Sequence, residues 1–419
     1  MQSEAPASLF TPSPEGSESH AVVRVVGVGG AGCNAVDRMV EAGLRGVEFV
    51  AVNTDRQALD ASRADVVIPV GAEVTRGLGT GGDPSTGEMA FRESEDHLRR
   101  VLRGSDLVFI AAGEGGGTGT GGSPIVAKVA REMGALAVAV VTRPFGFEGT
   151  KRATTADLGI HHLQDAADTV IVIPNDRLMN VLERGTSVVQ AFAVADDLLR
   201  QGVQGICDLI TLPGLINVDF ADVRTILKDA GTALLGIGYA SGGSRATDAA
   251  LAAISSPLLE TPVDGARGIL LGITGGPNMS LIEVTEAAQV VADAADPEAN
   301  IIFGATIDED LEDQVWVTVV AANLAGKASR GSSLSRPSAT RVERGRRTRT
   351  DSIHASSLDG APEISEPPEA PDLSADVPPL PPPRVVEPES ELDMPEAPKL
   401  FSVGDDVPPP SGDEPPIAS

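Results

Sequence analysis

The chain has 419 residues, 42% of them apolar, and a formal net charge of −28. This length and apolar content are sufficient for two or more packed domains, whereas the acidic charge argues against nucleic acid as a partner. We find no apolar run long enough to span a membrane, no signal peptide at the start, and only two cysteines, which argues against a disulfide framework and a cysteine zinc site and predicts a cytoplasmic protein.

Short runs rich in β-branched residues alternate with helical patterns over residues 21–186, after an N-terminal arm, 1–20, that is predicted to be disordered. The predicted strands are Val22–Val28, Val47–Val52, Val66–Val70, Leu107–Ala112, Ala135–Val141 and Thr169–Ile173, and the helical patterns include Glu88–Arg103 and Pro124–Met133. This alternation is typical of a Rossmann-like α/β domain built on a parallel sheet.

The first predicted strand ends in a glycine loop, Gly27–Asn34, which fits the pattern G-x-G-x-x-G of dinucleotide-binding proteins. Asp55 follows the second strand, about where an acid that binds ribose is expected. Taken alone, these residues favour an NAD-dependent oxidoreductase. That interpretation is kept as an alternative, because a single match to this pattern is a weak signal.

A second glycine loop, Gly113–Gly122, contains seven glycines in ten positions and lies between a strand and a helix. Ordering so many glycines is costly, so we predict that they serve an anion-binding backbone and not packing. No P-loop sequence, G-x-x-x-x-G-K-[ST], occurs. Two glycine loops at the ends of parallel strands are instead expected to hold a di- or triphosphate between them.

Two further features follow strands of the same sheet. The glycine-rich segment Gly71–Pro84 is long for a loop, and we predict that it senses a terminal phosphate. Glu148 and Arg152 follow the fifth strand, where ligands of open α/β sheets bind. They are predicted to contact ribose and phosphate, and a simple surface ion pair is the alternative.

Next along the chain comes a long helical pattern, Gly185–Ile210, assigned as a central helix over residues 187–211. Beyond it, residues 212–326 are predicted to form a smaller mixed α/β domain with strands Ala233–Tyr239, Gly268–Ile273, Ile301–Ile307 and Val315–Ala322 and helices Ala246–Ile254 and Ser280–Ala294. Residues 327–419 hold 18 of the 31 prolines and many acids, which predicts a disordered tail.

Taken together, these motifs resemble the tubulin/FtsZ family of cell-division GTPases, from Ala21 to about Asn323. The segments that carry the resemblance are Gly27–Asn34, Asn53–Asp55, Gly115–Gly121, Phe147–Gly149, Ile173–Asp176 and Asn217–Val223. The resemblance implies that GTP and GDP bind to Gly30, Ala31, Gly32, Cys33, Asn34, Gly115, Gly116, Gly117, Thr118, Gly119, Glu148, Arg152, Asn175 and Asp196. It implies Mg²⁺ held through the phosphates, with no metal ligand from the protein.

The acidic segment after the long helix raises a question of distance. If Asp196 binds the base, Asn217, Asp219 and Asp222 lie up to about 30 Å away along the helix, too far to reach the same nucleotide. These acids are either helix N-terminal charges or groups that act on a neighbouring subunit. The resemblance implies the second role, in which Asp219 and Asp222 polarise the attacking water and Asn217 lies beside the γ-phosphate.

The resemblance further implies head-to-tail homopolymers in a division ring at mid-cell. It also implies contacts of the tail with other cell-division proteins and membrane tethers, although Lys399–Phe401 is only a remnant of the expected peptide. A structural polymer that binds nucleotide but barely hydrolyses it is a third interpretation. The sequence assigns no role to Glu114, and leaves open whether the basic patch Arg341–Arg349 is a solvated linker or a binding site.

Overall fold

In the computed structural model, the described residues are 21–324, except 181, 184, 213, 260, 262 and 264. The predictions for the arm 1–20 and for residues 327–419, which include the basic patch Arg341–Arg349 and the segment Lys399–Phe401, lie outside this range. None of the helices in the described part combines the length and the apolarity that crossing a membrane requires.

The fold is a mixed α/β structure built on one ten-stranded sheet, in the order β3-β2-β1-β4-β5-β6-β7-β10-β8-β9 among the described residues. The strands are β1 Val23–Val28, β2 Val47–Asn53, β3 Val66–Pro69, β4 Leu107–Gly113, β5 Leu136–Arg143, β6 Thr169–Pro174, β7 Gly231–Ser241, β8 Ala266–Gly275, β9 Asn300–Ile307 and β10 Gln314–Leu324. The predicted fold class is confirmed, and each predicted strand is present with its ends shifted by at most two residues.

Strand β7 joins the two halves of the sheet. Strands β1 to β6 pair in parallel, and the start of β7 extends this half by pairing in parallel with β6. The rest of β7 pairs antiparallel with β10, which in turn pairs antiparallel with β8. The two predicted α/β regions therefore share a continuous sheet.

The helices cover both faces of the parallel half. They are α1 Gly29–Glu41, α2 Arg56–Asp60, α3 Pro84–Glu93, α4 Glu95–Leu102, α5 Thr118–Glu132, α6 Thr150–Ala166, α7 Asn175–Leu178, α8 Val188–Thr211, α9 Phe220–Leu227, α10 Arg245–Ile254 and α11 Leu281–Ala294. Neighbouring strand residues enter different cores: Val25 packs in the core that includes α1 and α8, and Val26 in the core that includes α3 and α5. Strands buried on both faces explain the continuous apolar runs of the sequence.

One predicted helix proved to be two. The pattern Glu88–Arg103 contains α3 and α4, which meet at Ser94, and α3 begins four residues earlier than predicted. The early start has a clear cause, because the Asp83 carboxylate accepts hydrogen bonds from the backbone N–H groups of Ser85 and Thr86. Pro84 at the first helical position suits such a cap.

The prediction for the second glycine loop was wrong in two respects. Helix α5 begins at Thr118, so half of the predicted loop is helical. Some of the glycines do serve packing, because a Cβ atom at Gly121 would overlap the backbone carbonyl of Pro84, and one at Gly122 would overlap the ring of Phe91. Side-chain-free positions let α3 and α5 approach each other closely.

Helix α8 is the long central helix that the sequence predicted. Its 24 residues span about 36 Å at 1.5 Å per residue. Ser187 caps its N-terminus in a reciprocal capping box with Gln190. Gly202 packs under Val140 of β5 and Leu235 of β7, and Gly205 packs under Thr318 of β10, so this helix contacts both the parallel and the antiparallel half of the sheet.

Candidate nucleotide-binding site

A cavity of about 200 Å³ lies at the carboxyl ends of the parallel strands. Its walls are formed by Val28, Gly30, Ala31, Gly113, Glu114, Gly116, Gly117, Thr118, Gly119, Thr142, Pro144, Glu148, Arg152, Asn175, Phe192, Ala195 and Asp196. Cavities of about 190 and 230 Å³ occur elsewhere, so volume alone does not identify a site. The first cavity is distinguished by the chemical groups on its walls.

Two helix N-termini meet at one end of this cavity. Helix α1 begins at Gly29, directly after β1, and α5 begins at Thr118, shortly after the neighbouring strand β4 ends at Gly113. The two backbones touch here, since a Cβ at Gly29 would lie 2.9 Å from the amide nitrogen of Gly119. Unpaired N–H groups and the positive ends of two helix dipoles form a site for an anion.

The same end has free space above the glycine backbone. A Cβ atom at Gly30 or at Gly116 would meet no heavy atom within 4 Å, although both residues line the cavity. A missing side chain that leaves open space gives a ligand direct access to the backbone N–H groups.

Three threonine hydroxyls connect this end to the third glycine-rich segment. The Thr118 hydroxyl lies 2.7 Å from that of Thr54 at the end of β2 and 3.4 Å from that of Thr80 in the segment Gly71–Pro84. The segment is also held by a hydrogen bond from Gly79 N–H to the Thr54 carbonyl. Its predicted role in sensing a terminal phosphate stays a prediction, now with a defined contact.

The other end of the cavity is formed by helix α8. Asp196 lies on this wall, with Arg38 of α1 3.4 Å from its carboxylate. Burial raises the pKa of Asp196 to about 6, although Arg38 opposes the rise. Near neutral pH its carboxylate is an acceptor that can take two N–H donors. One turn earlier, Phe192 presents a partly exposed ring to the same cavity.

Between the two ends lie Glu148, Arg152 and Asn175. The Arg152 guanidinium forms an ion pair with one oxygen of the Glu148 carboxylate at 2.9 Å, and the other Glu148 oxygen accepts from Phe145 N–H. Asn175 is buried, and its side-chain carbonyl oxygen has no hydrogen-bond partner among the described residues. A buried acceptor without a partner on a cavity wall is typical of a ligand contact.

The structure places most of the predicted nucleotide contacts on one cavity, and four elsewhere. Gly32, Cys33, Asn34 and Gly115 do not line it. The Cys33 thiol faces the core near the Gly27 and Val52 carbonyls, and burial raises its pKa to about 12, which makes it unreactive.

Sequence reasoning missed several wall residues. Among these, Thr142 and Pro144 come from the end of β5, and Phe192 and Ala195 come from α8. Phe192 had a readable signal, because it precedes Asp196 by four residues and therefore lies on the same helix face. Glu114, whose role the sequence left open, also borders the cavity and is buried.

Asp55, the acid on which the oxidoreductase interpretation depends, does not lie in the cavity. The Asp55 carboxylate caps α2 by accepting from Gln57 and Ala58 N–H, and Asp55 does not line the cavity. A carboxylate that caps a helix, here through its Oδ1 atom, has a structural role.

The acidic segment lies beyond the far end of α8, outside the cavity. About 22 Å of helix separates Asp196 from Thr211, the last helical residue. Asn217, Asp219 and Asp222 are exposed. The carboxylates of Asp219 and Asp222 have no side-chain hydrogen bond or ion pair among the described residues. Asp219 occupies the N-cap position of α9 but does not cap it with its side chain.

Comparison with known proteins gives matches over nearly all of the described chain. A family model described as "Tubulin/FtsZ family, GTPase domain" matches residues 22–183, and one described as "FtsZ family, C-terminal domain" matches residues 231–325. Among solved structures, the "FtsZ dimer, empty" of M. jannaschii is 44% identical, with a TM-score of 0.72, over 75% of this chain and 90% of that one.

Two further structures extend the comparison. A point mutant of the M. jannaschii FtsZ is 44% identical, with a TM-score of 0.71, over 73% of this chain and 92% of that one. CetZ2 of Haloferax volcanii, solved as a GTPgS-bound protofilament, is 23% identical, with a TM-score of 0.61, over 72% and 92% of the two chains. This last similarity concerns the fold alone.

Proposed function

The chain belongs to the tubulin/FtsZ family and is a GTPase, and we propose that it polymerises head to tail into filaments that build a cell-division ring. The observation that carries this proposal is the separation of two groups on α8. A cavity suited to a nucleotide lies at one end of this helix, and unpartnered acids lie beyond the other end.

The cavity suggests how the nucleotide lies. The phosphates fit between Gly30–Ala31 and Gly116–Gly119, where the two helix N-termini meet. Glu148 and Arg152 would contact the ribose and a phosphate. The base would lie against the Phe192 ring, with its N–H donors directed to the two oxygens of Asp196. Adenine lacks this pair of adjacent donors, so Asp196 would select guanine.

Mg²⁺ is part of the proposal as a partner of the phosphates. The described residues contain no group of three or more histidine, cysteine, aspartate or glutamate side chains that could hold a metal ion. In this proposal the ion is bound by phosphate oxygens and water, as is usual for Mg²⁺. When bound, it would neutralise charge on the triphosphate.

Hydrolysis in this proposal requires two subunits. Asp219 and Asp222 of one subunit would accept hydrogen bonds from a water molecule at the γ-phosphate of the next, with Asn217 beside it. The water oxygen attacks phosphorus, the bond to the β-phosphate oxygen breaks, and the water proton passes to a carboxylate and then to solvent. Asn217 is already ordered, since its side-chain carbonyl accepts from Gly214 N–H at 2.7 Å.

A contact of this kind sets the geometry of assembly. One subunit presents its nucleotide and the next presents a different surface, the acidic segment, so the contact is heterologous. Such contacts form open filaments unless the rotation between subunits closes a ring. CetZ2, a protein of the same fold, was solved as a GTPgS-bound protofilament, so this fold is compatible with filament formation.

The finer parts of the proposal concern the cell. We place the filaments in the cytoplasm at mid-cell, where the tail would join them to other division proteins and membrane tethers. Family membership supports the division role.

The proposal is tested by Asp222→Ala. We expect GTP binding and light scattering from polymers to persist while turnover falls at least about tenfold, because only the group that polarises water is lost. Asp248→Ala is the control, since Asp248 is an exposed acid on α10. If Asp222→Ala hydrolyses GTP at the wild-type rate, the acidic segment has been assigned wrongly. If neither the wild type nor Asp222→Ala turns over GTP although both polymerise, the wild-type protein is a structural polymer.

A further inference from the structure

Glu114 is a buried carboxyl group in the loop that forms the anion-binding end of the cavity. It directly follows β4, and its N–H donates to the Thr142 carbonyl of β5 at 3.0 Å. Only 3% of the residue is exposed. Neither carboxyl oxygen has a hydrogen-bond partner of normal geometry among the described residues.

The carboxyl group of Glu114, which borders the cavity, lies against helix α6. A Cβ atom at Gly159 of α6 would overlap the Glu114 Oε2 atom and the Thr120 methyl group, so these three positions are in close contact. Thr120 links the group to the loop backbone, because its hydroxyl oxygen accepts from Gly115 N–H at 2.8 Å. The loop Glu114–Gly117, which joins β4 to α5, is called the phosphate loop below. The Glu114 side chain therefore lies where this loop contacts helix α6.

An ionised carboxylate in this position has little to stabilise it. Burial raises the pKa of Glu114 to about 7, and contact with the Thr120 hydroxyl only partly opposes the rise. The neutral acid therefore dominates below about pH 7 and the charged form above it. In the neutral form the group adds no negative charge to a loop that binds an anion.

The charged groups on the surrounding elements do not change this balance. On α6, Arg152 pairs with Glu148 of the turn before that helix, Asp157 pairs with Arg143 of β5, and His161 and His162 are exposed. None of these groups contributes to the pKa of Glu114. On α5, the nearest ionisable side chain is Lys128, two turns beyond Thr120.

We propose that Glu114 is a positioning residue whose neutral carboxyl group supports the phosphate loop, so that binding of a nucleoside di- or triphosphate is linked to uptake of a proton by this side chain. This inference rests on the proposed nucleotide site. A bound polyphosphate disfavours a second negative charge in the same loop, so it holds the proton on Glu114. Conversely, ionisation of Glu114 weakens nucleotide binding.

The test is the affinity for GDP between pH 6.5 and 8.5, measured with the full chain by equilibrium titration. GDP avoids hydrolysis, and the lower limit lies above the pKa of Asp196, about 6. If the bound nucleotide raises the pKa of Glu114 by about one unit, the dissociation constant increases about sixfold over this range. Glu114→Gln, which cannot ionise, lacks this increase.

Two controls make the result specific to Glu114. Titration of the GDP phosphates affects every variant equally, so only the difference from Glu114→Gln counts. Asp208→Asn is the matched control, because Asp208 is a second acid whose pKa is raised by partial burial, to about 6, and it lines a different cavity. We expect Asp208→Asn to keep the wild-type pH profile.

A structural role alone would give Glu114→Gln a weaker affinity with an unchanged pH profile, and that result overturns the inference. The inference also fails if wild type and Glu114→Gln show the same profile at equal affinity. Failure of the proposed site looks different, because then the wild type binds GDP at no pH in the range.

Discussion

At the scale of single residues, the glycines around Gly113–Gly122 divide into two kinds. Gly116 borders open space in the cavity, whereas Gly121 lies against the backbone of α3. The first kind makes room for a ligand, and the second makes room for a neighbouring helix. The sequence does not distinguish the two kinds, because a glycine indicates only that a side chain is absent. It does not indicate whether a ligand or a neighbouring helix fills the space.

This division predicts opposite effects for two substitutions. Gly116→Ala is expected to weaken GDP binding at least about tenfold, because its methyl group fills the ligand space. Its free energy of unfolding is expected to change little. Gly121→Ala is expected to lower the free energy of unfolding by about 2 kcal/mol, because its methyl group meets the Pro84 carbonyl and α3 must shift.

Each variant serves as the control of the other. Titration with GDP measures the first effect, and urea unfolding in the absence of nucleotide measures the second. If Gly116→Ala unfolds as early as Gly121→Ala and binds GDP normally, the open space at Gly116 is not the ligand space.

At the scale of elements, one buried arginine links helix α10, helix α11 and the residue that precedes strand β10. Arg245 at the start of α10 is only 4% exposed, and its guanidinium donates to Glu283 of α11 at 2.7 Å and to Asp313 at 2.8 Å. Glu283 also accepts from Ser280 N–H in the capping box of α11. A buried arginine depends on such partners, because an unpaired charge in the interior is strongly destabilising.

The pH dependence of stability follows from this contact. The hydrogen bond from Arg245 holds the pKa of Glu283 down to about 2, below its value of about 4.3 in unfolded chains. The contribution of Glu283 is therefore fully present above about pH 5 and is lost as the pH falls towards 2.

We expect Glu283→Gln to lower the free energy of unfolding by about 2 kcal/mol at pH 7, a difference that shrinks between about pH 4 and 2. Urea unfolding of dilute protein at several pH values measures this. Glu286→Gln, an exposed acid one turn further along α11, is expected to change stability little at any pH. A Glu283→Gln difference that stays constant down to pH 2 contradicts the role of the ionised group.

At the scale of the whole molecule, α8 has the cavity proposed for the nucleotide at one end and the acidic segment beyond the other. If the proposed hydrolysis takes place between subunits, activity per molecule rises steeply above a threshold protein concentration. A site that is complete within one subunit gives a flat specific activity. GTP hydrolysis and light scattering recorded together over a range of concentrations distinguish the two cases.

Mixing two inactive variants gives a sharper version of the same test. Gly116→Ala keeps the acidic segment but loses the ligand space, and Asp222→Ala has the reverse defect. In an equal mixture, roughly a quarter of the contacts pair an intact cavity with an intact acidic segment, so we expect about that share of the wild-type rate to return.

The control for the mixture is either variant alone at the same total concentration. Recovery to no more than the sum of the two separate rates would show that cavity and acidic segment act within one subunit. Normal scattering from the mixture is required alongside, so that a failure to polymerise is recognised.

Part of this protein was determined by the sequence alone. Runs such as Leu107–Ala112 predicted the strands, and Gly27–Asn34 and Gly115–Gly121 marked the places where β1 and β4 lead into helices, because strand burial and glycine freedom are properties of short segments. That an anion binds at these places stays a prediction. The ordered set of motifs also predicted the family, and the comparisons confirm it. The long central helix was readable for the same reason.

Only the tertiary structure decided which segments meet. In the folded chain, Gly121 packs against α3, and the Cys33 thiol lies in the core. Asp55 caps helix α2, and Phe192 lines the cavity. The tertiary structure also showed that Glu114 is buried where the phosphate loop contacts α6. These contacts join residues far apart in the chain, and their existence depends on how whole elements pack, which no local pattern of side chains specifies.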